Sequence, residues 1–246
     1  MRFQQILEAQ AKIDPKIEVM FHNIYQNCQP YLKAVKNKPY DSAMFRGIKH
    51  ADEDFGKKDV RLANRKPVDT GKLEHNQLNA ALEELYGHPY RNGLFVSGNW
   101  NVASAYGDLY SVFPIGKFEY IWHEYIDDLY SKVGGYDEAF DAWQEFAREI
   151  IDPKKIEAHI EVDKEEDEEE WTDQYFQVVD DMIPEVIDKY GTGELLKWVL
   201  KHEGSYKQDD LVLALSKPRK EIMIWVPSYY YMNTDYLPLF QKWLSK

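Results

Sequence analysis

The order of apolar patterns along the chain predicts an α+β fold. Helical stripes come first, short aromatic and β-branched runs follow, a long helical region spans about 136–202, and one more apolar run comes near the end. The sheet is therefore expected to be built from residues distant in sequence, with the helical segment at about 134–203 inserted between its strands.

Each element has a local reason. Phe3, Ile6, Leu7, Gln10 and Ala11 bracket a first helical pattern. Asp14-Pro15 then supplies a cap followed by proline at the first helical position. Ile17, Met20, Phe21, Ile24, Tyr25 and Cys28 recur at helical spacing, and Cys28 on that stripe reads as a buried small hydrophobe. Pro30 and the Lys36–Pro39 run are expected to end this section. The stretch from Ser42 to Ile48 reads as a short strand. Asp69-Thr70 precedes a helix with Leu73, Leu78, Leu82 and Leu85, stopped by Gly87 and Pro89. Strands are predicted at Gly93–Ser97, Leu109–Phe113 and Phe118–Trp122, with a short helix over Asn101–Tyr106. Phe140, Trp143, Ala147 and Ile150 form one later stripe, and Val179, Met182, Ile183, Val186 and Tyr190 another, which Pro184 is expected to kink or split. Thr192 reads as the cap of a last helix through Leu195, Leu196 and Val199. Glu221–Val226 is a strand closed by Pro227, with Tyr229-Tyr230-Tyr231 beyond it. The 246 residues are read as one domain: helices over 1–38, a mixed sheet core from 40–130 and 205–235, and the insertion at 134–203.

Composition narrows the function. The hydrophobic share of 44% and 18 tyrosines are ample for a buried core. With one cysteine, no secretory leader pattern and no apolar run of membrane-spanning length, the expectation is a cytoplasmic protein that does not cross a membrane. Acidic residues outnumber basic ones by 43 to 30, which repels nucleic-acid backbones and favours a protein partner. Eight carboxylates fall between Glu161 and Glu170, a solvated face without the glycine turn of a calcium loop. The seven histidines lack paired metal-ligand spacing; His123-Glu124 opens like a zincin helix without its second histidine. No phosphate-binding glycine loop or nucleophile elbow occurs, so no metal and no such hydrolase is expected.

Three separated pieces remain. Phe45-Arg46-Gly47 ends one short strand, Phe95-Val96-Ser97-Gly98-Asn99 ends a second and leads into Ala103-Ser104-Ala105-Tyr106-Gly107, and Glu221-Ile222-Met223-Ile224 begins a third. This pattern resembles the arginine-serine-glutamate branch of the ADP-ribosyltransferases. The stretch RNGLFVSGNWNVASAYGDLYSVFPIGKFEYIW and the ending EIMIWVPSYYY are similar to a group of uncharacterised proteins from large bacteriophages. The resemblance implies a split-sheet core and NAD as substrate. It implies that Glu221 stabilises the oxocarbenium-like ribose, that Arg46 binds NAD phosphate or ribose oxygens, and that Gly47 lets backbone groups approach the nicotinamide amide. Ser97 would steady Glu221 or the ribose, and Tyr106 would stack on nicotinamide.

Two positions depart from the family pattern. Its Ser-Thr-Ser tripeptide is here Ser97-Gly98-Asn99, and Arg219 stands two residues before Glu221 in place of an acid or glutamine. A basic residue there repels an arginine acceptor, leaving another acceptor, NAD hydrolysis or loss of catalysis open. The expected activity is transfer of ADP-ribose to a host macromolecule, a protein rather than a nucleic acid, in the host cytoplasm if the chain is phage-encoded, with packaging in the virion also open. The alternative is an inactive transferase-like binding protein whose acidic surface blocks or mimics a charged partner.

Overall fold

The computed structural model describes residues 14–49, 53–63, 65–66, 70–134, 139–165 and 167–246. The helix expected over Phe3–Ala11, and Asp69, lie outside them. Helix α1, Pro15–Asn27, begins as anticipated: Asp14 caps it by accepting from the Lys16 N–H at 2.8 Å, and Met20, Phe21 and Ile24 are buried. Pro30 does not end the helical section. It sits in the first turn of a second helix, α2 (Gln29–Ala34), where a missing N–H breaks no intrahelical bond. The Lys36–Pro39 run does end the helical section, with Lys36 and Asn37 both at positive φ.

Among the described residues seven strands follow in two antiparallel sheets. Strands β1 (Phe45–Ile48), β2 (Phe55–Asp59), β4 (Asp108–Pro114) and β7 (Ser228–Asn233) form one sheet in the order β1-β4-β7-β2. Strands β3 (Leu94–Val96), β5 (Glu119–Trp122) and β6 (Ile222–Trp225) form the other, in the order β3-β6-β5. All of them lie at 45–122 or 222–233. Strand β2 falls in a polar stretch, FGKKD, that carries no apolar alternation, and β7 continues the tyrosine run beyond Pro227. The sheets meet where Phe45 and Ser97 exchange both backbone hydrogen bonds, at 2.8 and 3.0 Å.

Strand β6 divides the interior. Ile222 and Ile224 belong to one core with β4, β7, α1, α2 and the C-terminal helix α10 (Leu237–Leu244), which inserts Phe240 against Phe21. Met223 points the other way. It joins a second core made with helix α3 (Lys72–Tyr86) and the helices that follow β5 up to residue 203. These are α5 (Leu129–Val133), α6 (Phe140–Ile150), α7 (Pro153–Glu157) and α8 (Glu168–Glu203). Short helices α4 (Trp100–Ser104) and α9 (Leu211–Ser216) precede β4 and β6.

Helix α8 corrects one expectation. Pro184 stays within helical backbone, and the chain leaves helical geometry at Gly191, where φ is 72°. Glycine takes that value without a Cβ penalty, and α3 supplies what the break needs. Gln77 Oε1 accepts from both the Thr192 N–H and hydroxyl, at 3.1 and 3.0 Å. Thr192 therefore stands at the restart of the helix, but the capping oxygen comes from another element. In α3 the αL cap at Gly87 holds, whereas Leu73 and Leu85 are exposed and His75 and Asn79 are buried with Leu78 and Leu82. The acidic run begins α8, with Asp167 capping it and Glu168, Glu169 and Glu170 exposed in its first turn. No described helix is long and apolar enough to cross a membrane.

Because Ile222 is fully enclosed, Ile222→Ala should lower unfolding stability by about 2–5 kcal/mol. In urea titrations at one pH, the exposed Val19→Ala is expected to change it by less than about 0.5 kcal/mol.

Candidate active site

The ladder between β3 and β6 pairs Leu94 with Ile224, Phe95 with Met223 and Val96 with Ile222. One step further in the same register come Ser97 and Glu221. The Phe45–Ser97 pair adds β1, so Arg46 is the next residue along. Two backbone pairings thus gather Arg46, Ser97 and Glu221 from stretches of chain about 50 and 120 residues apart.

Glu221 is held from both sides. Its N–H donates to Asp127 O at 3.0 Å, and the preceding Lys220 pairs with the Asp127 carboxylate at 2.5 Å. Its Oε1 is buried with no hydrogen-bond partner. Burial pushes the carboxyl up to about 7; Arg91 pulls it down, Asp128 adds to the rise, and the Leu129 N–H and Arg65 oppose it. Tyr206 faces the same carboxyl, and burial above all raises its phenol far beyond the ordinary range.

Arginines surround this acid. Arg46 Nη1 donates to Phe95 O at 2.8 Å, and the Tyr229 hydroxyl lies beside the same guanidinium. Arg65 Nη1 donates to Arg91 O at 3.0 Å and Gly93 O at 2.6 Å. Its Cζ stands 4.7 Å from the Phe95 ring centroid, and that of Arg91 stands 5.6 Å from it. Burial, then the charges of Arg46 and Arg91, push Arg65 down to about 10. Arg91 is itself buried; its Nη2 donates to Thr70 Oγ1 at 3.3 Å, while Nε and Nη1 are enclosed without an acceptor.

A polar network on α3 carries Arg91. Asn79 Oδ1 accepts the Arg91 N–H at 3.0 Å, which orients its amide so that Nδ2 donates to Asn92 Oδ1 at 3.2 Å. His75 Nε2 lies 2.9 Å from the same oxygen and 3.0 Å from Asn79 Nδ2, so its tautomer sets whether it donates to the first or accepts from the second. Burial lowers the pKa of His75, so the neutral ring is favoured. His75, Arg91 and Asn92, which flank α3 as isolated polar residues in sequence, are one cluster in the structure. Arg65 is the residue that sequence reasoning missed. It lies in a polar loop without periodicity, and nothing local distinguishes it from Arg61.

The remaining expected residues are placed as follows. Ser97 is buried beside Glu221 in register, but its Oγ accepts from the Asn99 N–H at 3.1 Å, and among the described residues no hydrogen bond joins it to Glu221. Gly47 does need its missing side chain, for a different reason from the one the resemblance implies. A Cβ there would lie 2.3 Å from Ala103 O and 2.7 Å from the Tyr106 carbonyl carbon, so the space takes the end of α4. Tyr106 thus lies beside β1, with its residue 60% exposed. At Gly98 a Cβ would fall 1.8 Å from Leu215 O, at the end of α9. Arg219 is exposed in a left-handed turn, with φ at 64°. His123 is a structural staple: Nε2–H donates to Gly204 O at 2.7 Å and Nδ1 accepts from the Tyr125 and Ile126 N–H groups. Among the described residues no group of three or more His, Cys, Asp or Glu is arranged to hold a metal.

Compared with protein-family models, curated proteins and solved structures, the chain matches none.

The raised Glu221 carboxyl fixes the sign of a pH effect. The folded chain binds this proton more tightly than the unfolded chain, whose value is about 4.3. Stability from this group is complete below that value and declines as pH rises toward about 7. Glu221→Gln should therefore be more stable than the parent at pH 8, by roughly 1–3 kcal/mol, and nearly equal to it at pH 4. Urea titrations of both proteins at the two pH values read this directly.

Proposed function

We propose that the protein is an NAD-dependent ADP-ribosyltransferase whose reaction centre is Glu221, with Arg46 and Ser97 beside it. The observation that carries this reading is the convergence of three distant motifs, by two backbone pairings, around a half-buried glutamate with one enclosed carboxyl oxygen that has no partner among the described residues. An oxygen enclosed in this way accepts a hydrogen bond from a ribose hydroxyl, and its charge, when ionised, stabilises positive charge developing at the anomeric carbon. That is the requirement for breaking the bond between ribose and nicotinamide. The bonding pair leaves with nicotinamide, and an acceptor nucleophile attacks the anomeric carbon and gives up its proton.

The chain's own residues divide the work. Glu221 faces the reacting ribose, and its strand position fixes it to within the tolerance of a backbone ladder. Arg46 offers donors to ribose or phosphate oxygens. Ser97 acts through the turn it makes with Asn99, which seats the end of β3 against β6. Tyr106, beside β1, supplies the aromatic face for nicotinamide. The exposed Arg219 two residues before Glu221 disfavours a guanidinium acceptor, so the reading favours a different nucleophile on a host protein.

Proton NMR of NAD incubated with the protein and cell lysate should show free nicotinamide accumulating, with the rate for Glu221→Gln at least ~100-fold lower. Unchanged release by that variant would remove Glu221 from the mechanism. Release that does not need lysate would identify NAD hydrolysis.

A further inference from the structure

The resemblance leaves Arg65 and Arg91 without a role, yet they are the least compensated charges in the described structure. Among the described residues neither has a carboxylate within 4.0 Å, and lysines and histidines supply the ion pairs found there. They lie against one aromatic ring, with Arg46 bound to the carbonyl of that same residue. Glu221 is in electrostatic reach of both. Among the described residues, three guanidinium groups beside it concentrate positive charge in a partly enclosed place, and like charges held together destabilise the chain unless an anion joins them.

The two arginines differ in what they can do. Arg65 is half-buried, and Nη1 is tied to two carbonyls, which fixes the plane of its fork. Among the described residues no acceptor lies on its Nε or Nη2. A fixed, planar fork with open donors is suited to a phosphate oxygen. Arg91, against the same ring, donates through Nη2 to Thr70 Oγ1, while among the described residues its Nε and Nη1 are enclosed without an acceptor. Arg46 is already engaged, by Phe95 O and the Tyr229 hydroxyl.

We infer that Arg65 and Arg91, both against the Phe95 ring, form an anion subsite for the diphosphate of a dinucleotide, with Arg65 as the contacting fork and Arg91 as a buried charge beside the same ring. In assigning the diphosphate to a dinucleotide the inference rests on the function proposed above; anion binding by these two arginines does not.

Calorimetric titration of the full chain with inorganic pyrophosphate and with ADP-ribose, at fixed ionic strength, tests it. The parent should bind both, ADP-ribose more tightly. Arg65→Gln should weaken each by at least tenfold, and Arg91→Lys, which keeps the charge beside the ring, should weaken them less than Arg91→Gln. Lys242→Gln, which removes an exposed charge on α10, should change neither. Arg65 is only half-buried, so its variant keeps the test decisive if Arg91→Gln does not fold. Absence of pyrophosphate binding, or equal losses from Arg65→Gln and Lys242→Gln, would overturn the subsite. Equal affinity for pyrophosphate and ADP-ribose would overturn the dinucleotide assignment. Nicotinamide release without Arg65-dependent diphosphate binding sinks this inference and spares the transferase reading; Arg65-dependent binding without release does the reverse.

Discussion

Strand β6 has neither a free edge nor a wet face, and the rest of the molecule is arranged around that. It is paired with β3 on one edge and β5 on the other, while Ile222 and Ile224 face one core and Met223 the other. A strand so enclosed cannot slip by one residue without exchanging its buried faces. The residue just before it inherits that precision. Glu221 stands at the mouth of the most constrained segment of the chain, tied further by Asp127 through its own N–H and through Lys220. A carboxylate whose burial is costly is kept where it is by packing that it does not itself supply.

The insertion between β5 and β6 belongs to the same logic. Those strands are neighbours in the sheet, so the helices between them must leave and return at one place. The loop that leaves β5 carries Asp127, Asp128 and Leu129, all of which act on Glu221. The helical region is therefore connected to the candidate site through its own first residues, as well as packing beneath the sheet.

Much of this was readable from the residues, and the failures have physical causes. Strands with alternating or continuous apolar character, such as β4 and β6, were visible because both their faces are buried. Strand β2 was invisible: FGKKD pairs only along one edge and is half exposed, so no alternation marks it. Pro184 was read as a break because a local rule applies to it, but the break came at Gly191, where Gln77 from α3 accepts the released N–H. No local pattern reports a capping group 115 residues away. At the candidate site, Arg46, Ser97 and Glu221 are singled out by a resemblance that the residues around each of them carry. Arg65 is not, since what distinguishes it is the ring it lies on and the carbonyls it binds, all on a distant strand and turn.

Gly98 shows how tightly two remote choices are bound together. Its α-hydrogen faces the carbonyl of Leu215, so the turn after β3 and the seat of α9 share one small volume. A larger residue at position 98 and the present placement of α9 are mutually exclusive. Along any mutational path, neither can change first without passing through a poorly packed chain, and the two sites are epistatic despite lying more than a hundred residues apart in sequence.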